Sequence, residues 1–187
     1  MSARCANAPA LRAKLRAATH EHHQSLDTAL GQLDLAERQD YARFLGIQAR
    51  ARAGVEAWLT RYCPREWMPP SQADLLRRDL SALDYPPPRS APAFAHGDEG
   101  PVAWLGAAWV LAGSSLGNRM MERDLAARAP SDWPMAFLRD DAMPAYFKAL
   151  RPLLESGDVN PGAERTARAV FDHFMAETRE QLGEIAA

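Results

Sequence analysis

Three of the five histidines in this chain lie close together near the N-terminus, as His20, His22 and His23. A neutral imidazole is the commonest metal ligand among side chains. The flanking residues are mostly strong helix formers, so the run predicts a helix that carries all three rings. A histidine in an apolar stripe is more often a hydrogen-bonded core residue than a ligand, and both interpretations stay open here.

Helical geometry separates the three rings from one another. With about 100° per residue and Leu15 as the origin, His22 lies near the middle of the apolar stripe of this helix. His23 lies at the edge of the stripe, and His20 points away from it. The position in the stripe therefore favours His22 as the ring that faces the protein interior.

The neighbours at helical spacing favour His23 instead as the metal ligand. A metal-bound imidazole usually donates its second ring N–H to an oxygen atom. His23 has Asp27 four residues later and Thr19 four residues earlier, whereas His22 has Leu26 at the corresponding later position. A large ligand also needs a cavity, which opens at the edge of a helix contact. We therefore choose His23.

A second segment is unusual because glycines interrupt an apolar helical pattern. Gly106, Gly113 and Gly117 fall within the predicted helix over 101–129, although each glycine costs about 1 kcal/mol relative to alanine in a helix. Gly113 and Gly117 are one turn apart and open one face. Either a neighbouring helix packs closely there, or something flat rests directly on the backbone.

The elements that must position these residues are helices, because helical periodicity runs through most of the chain and strand alternation is nearly absent. The prolines within 84–92 predict a non-helical connector. We expect one all-α domain over 1–187, with 1–8 as a flexible tail. The predicted helices cover approximately residues 9–30, 34–62, 71–83, 101–129, 142–155 and 161–185.

Composition excludes several classes of protein. The formal net charge is −2 and no nucleic-acid-binding motif is present, so we expect no nucleic-acid partner. The two cysteines are far apart, which argues against a disulfide framework or a zinc site. No apolar run is long enough to span a membrane, and the N-terminus lacks the apolar core of a secretory signal. The sequence predicts a cytoplasmic protein without a membrane partner.

The two segments together resemble the heme oxygenase family. Leu15, Ala18, Thr19 and His23 match the family pattern Leu-x-x-Ala-Thr-x-x-x-His, whose last residue is the proximal heme ligand. The run Gly113–Gly117, with the sequence Gly-Ser-Ser-Leu-Gly, is similar to the glycine-rich distal helix of bacterial members. The two motifs lie about 90 residues apart, as in the family, and the resemblance covers most of the chain.

The resemblance implies a single multi-helical, heme-oxygenase-like bundle that cleaves heme b to biliverdin, carbon monoxide and ferrous iron. Heme would be both cofactor and substrate, and the protein would supply position and electrostatics. His23 would be the iron ligand on one face of heme. Gly113, Ser114 and Gly117 would form the catalytic distal side, where O2 binds.

The resemblance also implies a set of contacts around the heme. Arg16 and Lys148 match basic positions that hold propionates, and Phe171 and Trp109 would line the pocket. Asn118 replaces a second glycine found in many members and is expected to affect heme seating. The complete set of expected cofactor-binding residues is Arg16, Thr19, Asp27, Trp109, Asn118, Lys148 and Phe171.

The expected partners follow from the same resemblance. They are heme, O2 and an electron donor such as a ferredoxin, flavodoxin or reductase, with a bacteriophytochrome as a possible recipient of biliverdin, and the protein is expected to be a monomer. A heme carrier or sensor without turnover is the main alternative. A di-iron bundle would need Glu-x-x-His pairs, which the chain lacks, and a thiaminase-like relative would need a cysteine in mid-pocket.

Overall fold

The computed structural model describes residues 10–86, 91–130, 132–156 and 161–183. Within these ranges it contains no strand, and the helical prediction is confirmed. The expected tail over 1–8 lies outside the described residues. The helices are α1 (Leu11–Leu30), α2 (Arg38–Tyr62), α3 (Ala73–Ala82), α4 (Trp104–Arg128), α5 (Ala142–Ser156) and α6 (Pro161–Gly183), with a short 3₁₀ turn at Arg65–Trp67.

The start of α2 is the largest difference from the predicted boundaries. The sequence places it near Asp34, but the helix begins at Arg38. The carboxylate of Asp34 accepts the backbone N–H of Ala36 at 3.1 Å, and the backbone N–H of Asp34 is donated to Asp40 at 3.0 Å. An aspartate that hydrogen-bonds the backbone two residues on forms a turn, which here delays the helix.

Helix α6 organises the bundle because it packs against α1, α2 and α4. Helix α5 also contacts both α1 and α4. The histidine helix and the glycine-interrupted helix are therefore held by the same two partners. This arrangement fixes the position of α1 relative to α4 through α5 and α6.

The core has two buried clusters. The larger joins α1, α4, α5 and α6 with the C-terminal part of α2. The smaller joins the N-terminal part of α2 with α3 and residues 133–138, where the hydroxyl of the buried Tyr41 donates to the carbonyl of Pro134 at 2.8 Å. None of the described helices has the length and apolar character needed to cross a membrane.

Candidate functional site

His23 lies on the surface of α1 with one ring nitrogen already engaged. Its side chain is 59% exposed, and Nδ1 is 2.8 Å from Oδ2 of Asp27. Because Nδ1 faces a carboxylate, Nε2 is the nitrogen available to a metal. The ring also lies 5.7 Å from the ring of Phe171 on α6, measured between centroids.

The other two histidines of the run have different surroundings. His22 is half-buried and turned towards α6, where its Nε2 is 3.7 Å from Oδ1 of Asp172. Its Nδ1 is buried without a hydrogen-bond partner among the described residues. His20 is exposed. Of the three rings, His23 alone combines exposure with an oriented Nδ1, although its role as an iron ligand stays a prediction.

Thr19 contributes to the helix rather than to a free surface. It is 1% exposed, and its hydroxyl donates to the carbonyl of Leu15 at 2.8 Å. The hydroxyl is therefore occupied one turn before His23. Any effect of Thr19 on a ligand would pass through the position of α1.

The glycines of α4 divide into two kinds. A Cβ built at Gly106 would lie 2.0 Å from the carbonyl oxygen of Ala163 on α6, so α4 and α6 approach closely there. A Cβ at Gly113 or Gly117 would meet nothing within 4 Å. Among the described residues, therefore, no neighbouring helix packs closely against Gly113 and Gly117, which was one of the two interpretations of these glycines. The backbone at Gly113 and Gly117 faces open space.

Two apolar side chains flank this open strip. Leu116 is 59% exposed and Met120 is 72% exposed. At about 100° per residue, both lie within about 60° of Gly113 around the helix axis. Sequence reasoning missed both as site residues, although the same helical angles could have found them. We call Gly113, Leu116, Gly117 and Met120 the open face of α4.

Two other expected heme contacts on α4 lie at different positions. Trp109 is half-buried one turn before Gly113, on the side of the open face. Asn118 is 4% exposed and lies about 140° around the helix from Gly113. Asn118 therefore belongs to the buried side of α4, and an influence on heme seating would be indirect.

Ser114 lies at the border of the open face and is bonded to a buried arginine. Arg52 on α2 is 2% exposed, and its Nη2 donates to Oγ of Ser114 at 2.6 Å. Burial lowers the pKa of Arg52 to about 10, so the guanidinium stays protonated at neutral pH. The Ser114 hydroxyl in turn donates to the carbonyl of Leu111 at 2.8 Å.

Arg52 was not among the residues expected from the sequence. The signal was present, because Arg52 lies seven residues from both Leu45 and Leu59 and so shares their stripe on α2. Both leucines are fully buried. A charged residue in the middle of a buried apolar stripe is costly unless it has partners, and Ser114 is one of the two side chains to which Arg52 donates a hydrogen bond.

The expected propionate ligands lie on neighbouring helices. Arg16 is exposed on α1, seven residues before His23 and therefore on the same side of the helix. Lys148 is exposed on α5, which packs against α1. Arg151, three residues later on the same helix, pairs with Glu155 at 3.3 Å.

These residues fit a flat apolar ring with one axial imidazole. His23 supplies an exposed ring whose Nε2 has no partner among the described residues, and the open face of α4 supplies backbone that no described side chain covers. Leu116 and Met120 leave apolar surface in water, which is unfavourable unless a ligand covers it. In the described parts of the chain, no three His, Cys, Asp or Glu side chains converge on a metal site.

Comparisons with known proteins concern the whole chain and its fold. A heme oxygenase of Xanthomonas campestris pv. campestris (strain 8004) is 30% identical to the chain over a 156-residue alignment that covers 78% of this chain and 92% of the relative. The structure resembles the NO- and CO-bound heme oxygenase of Neisseria meningitidis with a TM-score of 0.71 and 21% identity, covering 93% of this chain and 92% of that one. No family model matches the chain. The structural likeness confirms the fold.

Proposed function

This chain belongs to the heme oxygenase family, and we propose that it cleaves heme oxidatively to biliverdin, carbon monoxide and ferrous iron. The reaction uses O2 and electrons from an external donor. The observation that carries the proposal is the open face of α4, where a Cβ at Gly113 or Gly117 would meet nothing within 4 Å. The absence of a side chain at these two positions would let a flat ligand approach the backbone closely.

His23 would hold the heme iron through Nε2. Asp27 accepts the N–H of Nδ1 and so fixes the tautomer and the ring orientation of His23. The ring of Phe171 lies beside the His23 ring at a tilted angle, and Thr19 anchors the preceding turn of α1. These contacts leave little freedom to the imidazole that the iron would meet.

The protein has candidate residues to bind both the charged propionates and the apolar porphyrin of heme. Arg16 and Lys148 would pair with the propionates, since both are exposed cations on adjacent helices. Leu116, Met120 and Trp109 would cover the porphyrin on the side of α4. Burial of the two exposed side chains would contribute to binding by removing apolar surface from water.

Heme supplies the iron that activates O2 and the porphyrin that is cleaved. The protein side of the chemistry is positional: Gly113 and Gly117 keep space beside the backbone, and Ser114 holds a hydroxyl at the border of that space. None of Gly113, Ser114, Leu116, Gly117 and Met120 is an acid or a base at neutral pH. The open face therefore provides room and hydrogen bonding without a strong proton donor.

A heme carrier or sensor on the same fold is not favoured. The feature behind that alternative was Asn118, and its side chain lies on the buried side of α4. We further propose that the protein is a cytoplasmic monomer, with a ferredoxin, flavodoxin or reductase as electron donor and a bacteriophytochrome as recipient of biliverdin.

The test compares two adjacent histidines. We expect His23→Ala to remove the spectrum of histidine-ligated ferric heme and to abolish biliverdin formation with ascorbate or a ferredoxin system as the reductant. His22→Ala, the matched control on the same turn, should keep the spectrum and lower only the stability, because His22 faces Asp172 on α6.

The absorbance of bound heme in the Soret region and the biliverdin band provide the two readings. A wild-type protein whose heme spectrum persists through repeated additions of reductant would disprove turnover. A loss of the ligand spectrum in His22→Ala but not in His23→Ala would show that the axial residue is wrongly assigned.

A further inference from the structure

The described helices contain one buried cation that reaches the open face of α4 from inside the bundle. Arg52 is one of the largest fully buried side chains of the protein. Its guanidinium carbon lies 5.2 Å from the centroid of the Phe137 ring, and its Nε donates to Oε1 of Gln48 at 3.3 Å. These contacts hold the long side chain in one orientation, with Nη2 directed at Ser114.

Arg52 has no close anion to neutralise it. No carboxylate of the described residues lies within ion-pair distance, although the charges of Glu56 and Asp140 act on it from farther away. Its Nη1 is buried without a hydrogen-bond partner among those residues. Burying an incompletely paired charge lowers stability, so an apolar residue would suit position 52 better if its only role were to pack the core.

The hydrogen bond to Ser114 reaches a segment that has few other restraints. Gly113 and Gly117 have no neighbour that a Cβ would meet, and glycines within a helix permit kinking. The hydroxyl of Ser115 is donated within its own helix, to the carbonyl of Ala112. Among the described residues, Arg52 to Ser114 is therefore the side-chain hydrogen bond that joins 113–117 to another helix.

We propose that Arg52 is a positioning residue for heme oxidation and that it acts through Ser114. Its guanidinium fixes the Ser114 hydroxyl and, with it, the backbone of α4 between Gly113 and Gly117. The inference rests on the proposed function, because it assigns a role within that reaction. Arg52 itself is buried and does not need to touch heme.

The test uses Ser114→Ala, Arg52→Met and the double variant, each compared with wild type. We expect kcat for heme degradation to fall about tenfold in either single variant, while the Kd of heme changes less than about threefold. The double variant should be no slower than Arg52→Met alone, because both substitutions remove the same hydrogen bond. Ser114→Thr keeps a hydroxyl and should recover most of the rate.

A second reading uses the protein without heme. Backbone amides of residues 113–121 should exchange with deuterium faster in Ser114→Ala and Arg52→Met than in wild type. Leu45→Ala is the matched control, since it weakens the same stripe of α2 without touching Ser114. Leu45→Ala should accelerate exchange at 113–121 only by the amount that its lower global stability accounts for.

The outcomes separate this inference from the proposed function. Wild-type protein that binds heme without degrading it would contradict the proposed function itself. If the wild type degrades heme and Ser114→Ala has an unchanged kcat, only the role of Arg52 is overturned. The same holds if the fold-losses in kcat of the two single variants multiply in the double variant. If Arg52→Met does not fold, an unchanged kcat in Ser114→Ala still overturns the role of Arg52, and faster exchange of residues 113–121 in Ser114→Ala but not in Ser114→Thr still supports it, because position 114 is exposed.

Discussion

The two halves of α4 use the same residue type for opposite purposes. In the first half, from Trp104 to Ala112, nearly every residue is buried, and Gly106 lets α4 approach the backbone of α6. In the second half, Gly113 and Gly117 face open space. One helix therefore has a closed half that belongs to the core and an open half that is available to a ligand.

This difference shows that a glycine in a helix must be judged by its neighbours. The helix-propensity cost of about 1 kcal/mol per glycine applies to all three positions. At Gly106 close packing offsets it. At Gly113 and Gly117 no described atom lies close enough for such packing, which agrees with the ligand contact that we propose for them.

The largest effect is expected in the closed half. Gly106→Ala places a Cβ on the carbonyl of Ala163 at a distance that no real contact shows, and the helices must separate. We expect a loss of about 3 kcal/mol in the free energy of unfolding, typical of severe overpacking. Urea denaturation of the protein without heme would measure it. A loss below about 1 kcal/mol would mean that the closed half is looser than the structure indicates.

The second effect concerns the apolar side chains of the open half. Replacing both Leu116 and Met120 by serine should weaken heme binding by about 2 kcal/mol, because each side chain loses part of the apolar area that heme would cover. Stability without heme should hardly change, since both are exposed. Titration of apoprotein with heme gives the Kd.

The matched control for that pair lies on the same helix. Ala126 and Ala127 are exposed near the end of α4, and their replacement by serine should leave the Kd unchanged. Equal losses in both double variants would indicate nonspecific adsorption of heme and would remove the functional meaning of the open face.

The third effect is a substitution at Gly117 that should stabilise the protein without heme but weaken its binding of heme. Gly117→Ala should raise the stability of the apoprotein by about 1 kcal/mol, because alanine is the better helix former and its Cβ meets no atom. The same Cβ would occupy space that we assign to heme, so heme affinity and turnover should fall. Thermal unfolding and heme titration together test it. A Gly117→Ala protein that is more stable and equally active would remove Gly117 from the site.

The sequence was sufficient for the architecture and for the residues whose partners are local. Helical periodicity predicted all six helices to within a few residues, apart from the turn that Asp34 makes before α2. The hydrogen bond from His23 to Asp27 could be predicted because it joins residues one turn apart on one helix.

The residues that were missed depend on contacts between helices. Helical angles alone place Leu116 and Met120 beside Gly113, but the exposure of both side chains could be seen only in the packed bundle. Arg52 pairs with Ser114 across 62 positions of sequence, a distance that helical geometry cannot bridge. The resemblance places Asn118 at the heme, and this role stays a prediction; its burial could not be predicted, because it depends on how α4 packs against its partners.

The smallest effect, a response to acid, should also separate the two halves. Behind the closed half, α6 carries Thr166, whose hydroxyl lies 2.9 Å from Nε2 of His96. Burial lowers the pKa of His96 from its usual value, against the opposing pull of Glu99. Below about pH 6.5 the unfolded chain binds a proton at His96 more readily than the folded protein does. The free energy of unfolding should therefore fall as the pH is lowered, and the contribution of His96 to stability should be fully present above about pH 6.5.

His96→Gln retains a polar side chain at Thr166 but cannot titrate, so it should lose less stability than wild type between about pH 7.5 and 5.5. His20→Gln, an exposed position on α1, is the control and should match wild type. In hydrogen exchange, acid should accelerate the amides of the closed half, which rests on α6, more than those of the open half. Equal acceleration in both halves would mean that His96 does not act through α6 and that the two halves unfold as one unit.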